Sequence, residues 1–365
     1  MVHGSKIRFR DLSLRFVFAT VMLASVFTVL NGCKSKPDDN NSPDGSTEPL
    51  RFVFMADSRG DTLKHPVNSE VLSAIITQIG LLKPKPSFII FGGDMSYRGY
   101  IDTGYTFQTW KNMFLSLTDN GIALYTTMGN HELYHQHSSN GFLLVNQQQF
   151  QSDFSENPTN GPPGYEHLVY SFTNQATNSF FAVLDPYYIT QDTVKDIGLG
   201  GNIDSVQMAW LQAQVAQSAA LHKFLFIHTP YYYVSDDPEE PSAANQSYTR
   251  LWSFLDVNKF DMYACGHSHL YSRRTIVDTI PPNPQTTPHT PPWQNNVVQL
   301  LNGTCGAGPS TGSVSDTIRS LWNVHNSPMT YYFSVVDVYG DTVKVNSYSG
   351  YTGNYAIFDT FIITK

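Results

Sequence analysis

The sequence predicts an α/β fold from residue 50 onward, and three observations carry that prediction. Short apolar runs alternate with amphipathic stretches through the middle of the chain, the pattern of strands interleaved with helices. From Pro66 to Gly80, the residues Val67, Val71, Leu72, Ile75 and Ile79 fall at helical spacing between a proline start and a glycine stop. The tail alternates apolar and polar residues on both sides of Tyr339-Gly340-Asp341, as an antiparallel hairpin does.

The elements follow in order. Leu50 to Ala56, Ser87 to Phe91 and Ile122 to Thr127 are continuous apolar runs of strand length, which suits strands buried on both faces. The helix from Pro66 lies between the first two, and a second helix is expected around Phe107 to Leu117. Tyr165 to Phe172 and Ser179 to Leu184 form a strand pair. Ser205 to Val215 is a helix with Met208, Leu211 and Val215 on one face, and Asp204 and Gln207 stand at capping-box spacing. Lys223 to Ile227, Phe260 to Cys265 and Val297 to Leu301 return as strands. Ile280 to Trp293 has too many prolines for helix or central strand and is a surface loop. Tyr331 to Val338, Thr342 to Tyr348 and Ala356 to Ile363 complete a β-rich end, and no internal repeat is present.

The amino terminus is organised differently. Lys6, Arg8, Arg10 and Arg15 precede an apolar run from Phe16 to Leu30 that is short of the roughly 20 residues of a membrane span, so residues 1–32 form an export signal. It ends in Leu30-Asn31-Gly32-Cys33, which resembles the bacterial lipoprotein box. That resemblance implies a lipidated Cys33 as first mature residue and anchorage to a bacterial cell membrane, on its periplasmic or cell-surface face. A plain cleaved signal or an uncleaved anchor are the alternatives. Residues 33–49 are polar and aperiodic, a disordered tether. Residues 50–365 are then expected as a single folded domain.

The 365-residue chain, 41% hydrophobic and 13% aromatic, is rich enough in apolar side chains to build a large core. Its net charge is −8 with 22 basic against 30 acidic residues, and loss of the signal removes four bases and only Asp11, leaving it more acidic. Such a balance argues against a nucleic-acid scaffold binder, which needs basic stripes to displace counterions. An anionic small substrate has to be drawn by local cations, which a metal site supplies. Nothing in the sequence specifies an oligomeric state.

Five segments end apolar runs in metal-binding side chains: Met-Ala-Asp57, Gly-Gly-Asp94-Met-Ser-Tyr97, Gly-Asn130-His131-Glu132, Ile-His228 and Gly-His267-Ser-His269. Hydrolysis of an anionic phosphoester needs cations on the phosphoryl oxygens and a nucleophile formed at ordinary pH. Two ions about 3.5–4 Å apart meet both needs, held by hard oxygens and neutral imidazoles on converging loops. Strand ends of an α/β sheet offer such convergence.

This order of motifs resembles the calcineurin-like metallophosphoesterases over residues 50 to about 310. The resemblance implies a four-layer α-β-β-α sandwich with two mixed sheets. It also implies metal-dependent hydrolysis of a phosphate ester, with a metal-bound hydroxide attacking phosphorus in line. In the first motif Arg59 stands where that family commonly places a histidine ligand. Gly93-Asp94-Met-Ser-Tyr97 is similar to the motif of the purple acid phosphatase branch, in which a tyrosine takes that place, and Gly266-His-Ser-His-Leu-Tyr-Ser-Arg273 looks like the same branch.

Carried over by position, the resemblance implies one metal held by Asp57, Asp94, Tyr97 and His269, and another by Asp94, Asn130, His228 and His267, with Asp94 bridging. His131 would bind phosphate or protonate the leaving group. A phenolate favours Fe3+ in the Tyr97 site, with Fe2+, Zn2+ or Mn2+ in the other. If Tyr97 is a packing residue, an ordinary dimanganese or dizinc site is expected.

Other readings compete at several residues. Arg59 either reaches the phosphate as a fixed cation or pairs with Asp61. Tyr231 is either part of an aromatic wall for substrate or a packing residue. His131-Glu132-Leu-Tyr-His135 matches the zinc-protease pattern, which requires a helix. A metal-binding surface lipoprotein without catalysis is a further alternative, resting on Arg59. His135 and His137 are expected on an exposed loop. Cys265 and Cys305 either pair as a disulfide or remain buried thiols.

Overall fold

Strand β1 (Leu50–Met55) sets the architecture, because successive side chains of a strand point to opposite faces. Phe52 and Phe54 fall on one side, in a cluster with Phe181, Phe224 and Phe226, while Val53 and Met55 fall on the other with Val71, Leu72, Ile75 and Ile79. The protein was analysed as a computed structural model, which describes residues 49–99, 107–135, 141–193, 200–234, 246–277, 293–309, 313–327 and 329–365. The export signal, Cys33 and its tether as far as residue 48, His137 and all but Trp293 of the proline-rich loop lie outside them.

After β1 come a short hairpin, β2 (Arg59–Thr62) and β3 (His65–Val67), and helix α1 (Ser69–Leu81). Pro66 and Val67 therefore belong to a strand, a correction to the helix start expected at Pro66. Asn68 caps the helix through the Val71 N–H, and a cap two residues after the proline outweighs the proline signal. Strand β4 (Phe88–Phe91) follows, and the helix expected from Phe107 to Leu117 divides into α2 (Phe107–Asn112) and α3 (Leu115–Thr118). Then come β5 (Ala123–Thr126), the two-residue strands β6 (Tyr134–His135) and β7 (Gly141–Phe142), and α4 (Leu144–Asp153). His131 and His135 thus lie in a turn and a strand, so no helix aligns them as a zinc-protease pair.

In the second half β8 (Tyr170–Asn174) and β9 (Ser179–Val183) form the expected antiparallel pair, with Tyr165 to Val169 in turns before it. Helix α5 (Ser205–Ala216) starts at Asp204, which accepts from the Val206 and Gln207 N–H groups. The Gln207 amide does not close a capping box. It bridges the backbone of Asp185, accepting from its N–H and donating to its carbonyl, which ties helix to strand end. There follow β10 (His222–Phe226), α6 (Gln246–Val257), β11 (Met262–Cys265), β12 (Tyr271–Ile276) and β13 (Val297–Asn302). A short helix α7 (Asp316–Leu321) and strand β14 (Asn323–His325) lead to β15 (Tyr331–Tyr339), β16 (Thr342–Gly350) and β17 (Ala356–Thr364).

Two large mixed sheets result. One has the order β17-β16-β15-β1-β4-β5, with β1, β4 and β5 parallel; the other has β14-β12-β13-β11-β10-β9-β8, with β9, β10, β11 and β13 parallel. Their inner faces meet through aromatic rings: Phe52 lies 5.5 Å from both Phe181 and Phe224, and Phe54 lies 5.7 Å from Phe226. Each fully buried ring of this kind stabilises by about 1.5–3 kcal/mol through area alone. Helices cover the outer faces, α2 through Trp110 on Phe91 and α6 through Trp252 on Tyr263, at 4.6 and 5.4 Å between centroids. This is the α/β sandwich the sequence predicts. Among the described residues no helix is long and apolar enough to cross a membrane.

Candidate metal centre

The parallel strands β1, β4, β5, β10 and β11 all stop at one edge of the sandwich, and each delivers side chains there. Three of the delivered residues, Asp57, Asp94 and His267, have left-handed backbone with φ of 62°, 55° and 72°. Such conformations cost of order 1–3 kcal/mol each for non-glycine residues, so the surroundings must impose them. Hydrogen bonds between turns do so: Asp57 N–H to the Gly93 carbonyl at 3.0 Å, Ala307 N–H to the Asp57 carbonyl at 2.8 Å, and Gly266 N–H to the His228 carbonyl at 2.8 Å. Gly93, at φ 89°, lets its turn pass so close that a Cβ there would lie 2.7 Å from both the Gly129 nitrogen and His228 Nδ1.

Ligand atoms of Asp57, Asp94 and His228 lie within 4.8 Å of one another, all three buried. His228 Nδ1 donates to the Gly92 carbonyl at 2.7 Å, which directs Nε2 at Asp94 Oδ1, 3.3 Å away. His267 Nδ1 is 3.3 Å from that same Nε2 and 3.2 Å from Asn130 Oδ1. Asn130 donates its amide N–H to the Tyr134 hydroxyl, which turns its oxygen toward the histidines. His269 Nε2 is 3.7 Å from Asp57 Oδ1, and Asp57 accepts the His267 backbone N–H on both carboxylate oxygens. Carboxylate, amide and imidazole lone pairs thus converge on one spot, a donor set that suits a divalent cation.

The charges are arranged accordingly. Burial opposes ionisation of Asp94, yet His228, His131 and Arg59 hold it well below the usual carboxylate range. Burial likewise opposes protonation of His228, but Asp94 and then Asp57 push it up to about 9. Burial raises Asp57 well above its ordinary value, with Asp94 adding to the effect and His228 acting against it. His131 and His267 are pushed down to about 3, by burial first and then by Arg59 and His228 respectively. Burial and Arg59 push His269 well below its ordinary value. The last three imidazoles are therefore neutral at ordinary pH, the form in which histidine ligates.

Arg59 faces Asp94, not Asp61: its Nε lies 3.9 Å from Asp94 Oδ2 and, although buried, has no hydrogen-bond partner. His131 Nδ1 donates to the Tyr97 carbonyl, leaving Nε2 directed inward, 3.9 Å from Asp94 Oδ2. Tyr97 sits beside His131 at a cavity wall. Its ring lies 6.0 Å from that of His131 and lines an open cavity of about 580 Å³ with Leu63, Lys64, His65 and Arg98. The Tyr231 hydroxyl meets Thr249, and its ring stacks on Trp252 at 5.5 Å, within the packing around α6. Cys265 and Cys305 are buried and form no disulfide.

Glu132 is the residue that sequence reasoning left without a role here. It is fully buried and accepts backbone N–H groups from Asp94, Met95 and Gly129. Burial and the Asp94 charge push it up to about 7, while His228 and the Gly129 and Met95 N–H groups act the other way. Its only signal in sequence was its place in Gly-Asn130-His131-Glu132.

Comparison with known proteins follows the same lines. The family model described as calcineurin-like phosphoesterase matches residues 50–271, more than half of the chain. No curated protein matches it. Among solved structures, the chain is similar to a purple acid phosphatase from yellow lupin (Lupinus luteus) seeds, with TM-score 0.60 and 14% identity over 88% of this chain and 54% of that one. It therefore spans about half the length of the lupin protein. It is also similar to a dimetal phosphatase from Danio rerio, with TM-score 0.55 and 14% identity over 87% and 99% of the two chains. A third similar structure is PhoD, with TM-score 0.56 and 12% identity over 87% and 70%. At these identities the likeness is one of fold.

Proposed function

We propose, because the chain belongs to the calcineurin-like phosphoesterase family, that it hydrolyses phosphate esters at a centre of two metal ions. The observation that carries this reading is the convergence of Asp57, Asp94 and His228 within 4.8 Å, with Asn130 and His267 against them. Asp94 is the shared ligand, Asp57 and His269 serve one ion, and Asn130, His228 and His267 serve the other. Tyr97 completes the first set if that ion is Fe3+, with Fe2+, Zn2+ or Mn2+ in the second, as in a purple acid phosphatase. When bound, two such ions neutralise phosphoryl oxygens and lower the pKa of water enough to furnish a nucleophile at ordinary pH.

The chain's own residues do the rest. Arg59 presents a fixed cation beside Asp94 and binds a phosphoryl oxygen. His131, fixed through Nδ1, aims the lone pair of Nε2 at the centre beside the ester; a bound phosphate anion favours the imidazolium, and Nε2, once protonated from solvent, hands that proton to the departing alcohol. The neutral His267 and His269 keep lone pairs available, and the buried turns hold the donors in place before substrate arrives. The enzyme is read as exported and tethered to a membrane through lipidated Cys33.

Turnover of p-nitrophenyl phosphate and of its bis-ester, by protein reconstituted with Mn2+, Zn2+ or iron, tests this reading. Asp94→Ala is expected to abolish turnover of both. Absence of turnover with every metal would leave a metal-binding surface module in place of an enzyme. The ratio between the two substrates assigns monoesterase or diesterase character.

A further inference from the structure

Two buried acids exchange backbone hydrogen bonds between the loops that follow β4 and β5. Glu132 Oε2 accepts from the Asp94 N–H at 2.9 Å and the Gly129 N–H at 2.7 Å, and Oε1 accepts from the Met95 N–H at 2.7 Å. In return Asp94 Oδ1 accepts from the His131 N–H at 3.1 Å. Each loop thus closes on a carboxylate of the other, across 37 or 38 positions of sequence. The approach is tight: a Cβ on Gly129 would lie 2.3 Å from Asp94 Oδ1 and 2.9 Å from Glu132 Oε2.

We propose that Glu132 is a positioning residue that fixes Asp94 as the shared ligand before any cation arrives, so that its loss weakens both ion sites together. The inference rests on the two-ion reading of the centre. Its chemistry follows from a count of donors and acceptors. Three N–H groups, spread over both oxygens of one fully buried carboxylate, occupy most of its acceptor positions and turn it toward the backbone. They require an acceptor at both ends, which an amide cannot supply, because its NH2 would face an N–H whichever way it turned. The Asp94 backbone is held at φ 55° by these bonds, and its carboxylate direction follows from that backbone. One Asp94 oxygen is partly committed to His131, which orients the other lone pairs toward His228 and Arg59.

Calorimetric titration of chelator-treated protein with Mn2+ and with Zn2+ tests this. Glu132→Gln is expected to weaken both ions by about 10–100-fold, the usual effect of removing a group that orients ligands. Asn130→Ala is expected to weaken only one. Amide exchange followed by NMR in metal-free wild type is expected to show slow exchange at the Asp94, Met95 and Gly129 N–H groups. Wild-type affinity in Glu132→Gln, or loss at a single ion, would overturn the proposal. So would exchange at those three amides as fast as in an exposed loop, which also decides the matter if the variant does not fold. A wild type that takes up no metal would instead remove the two-ion reading.

Discussion

Substitution of Gly266 by alanine adds one methyl group to the site and nothing else. Gly266 is not among the residues with positive φ, so alanine meets no torsional strain there. Its Cβ would lie 2.3 Å from Asp57 Oδ2 and 2.7 Å from Ala56 Cβ. Neither backbone is free to recede. Ala56 accepts the Cys305 N–H at 2.9 Å, Asp57 accepts that of Ala307 at 2.8 Å, and Gly266 donates to His228. To restore ordinary contact the Asp57 carboxylate has to move by about 1 Å, and a displacement of that size costs on the order of 100-fold in rate. Overpacking adds a stability cost of about 1–3 kcal/mol. The assay compares kcat, metal affinity and urea unfolding in Gly266→Ala with those in Gly308→Ala, where the added Cβ meets nothing within 4 Å and no change is expected. Wild-type metal affinity and rate in Gly266→Ala would refute the placement of Asp57 as a ligand.

Arg59→Met is expected to raise KM for phosphate monoesters and the inhibition constant for inorganic phosphate by roughly 10–100-fold, the range for a lost hydrogen bond to a charged partner. Unchanged phosphate inhibition would return Arg59 to a structural role beside Asp94. If iron occupies the first site, Tyr97→Phe is expected to remove the visible absorption band of the iron-loaded protein; a loaded wild type without colour would place Tyr97 with the cavity wall alone. Asp359 is buried against Arg273, at 2.7 and 3.2 Å, and against the Tyr271 hydroxyl. Burial opposes its ionisation, but these partners hold it below its ordinary value of 3.8. A depressed carboxylate contributes stability above its unfolded-state value and loses it as pH falls through the folded value. Urea unfolding is therefore expected to show wild type losing stability below about pH 4, with Asp359→Asn weaker at pH 7 and flatter in acid; parallel curves would contradict the assignment.

Of the strands that carry ligands, β1, β4 and β10 were legible as runs rich in Phe, Ile, Val or Leu, and β5 and β11 as shorter apolar stretches that include Tyr, Ala, Met or Cys. Their boundaries shifted by only a residue or two from those expected. The β2–β3 hairpin was not legible, since Arg59-Gly-Asp-Thr62 has no apolar alternation and exists because Asn68 and Ser58 anchor its ends. Helix α4 hides similarly: Leu144 to Asp153 is mostly amides and polar residues, and its Gln147 amide is consumed by the Ile189 backbone. In the site, Asp57, Asp94, Asn130, His228, His267 and His269 could be found because each ends such a run. The work of Glu132 could not, because its partners are backbone N–H groups, which have no signature in the amino-acid code.

The strand ends also segregate the donors by element. Asp57, Asp94 and Asn130 follow β1, β4 and β5 of the six-stranded sheet, whereas His228, His267 and His269 follow β10 and β11 of the seven-stranded one. One sheet supplies hard oxygen and the other borderline nitrogen. A slide of one sheet over the other would therefore change the spacing between the two kinds of donor without replacing a single residue. The Phe52, Phe181 and Phe224 rings that lock the two sheets together thereby hold the oxygen donors at a fixed spacing from the nitrogen donors.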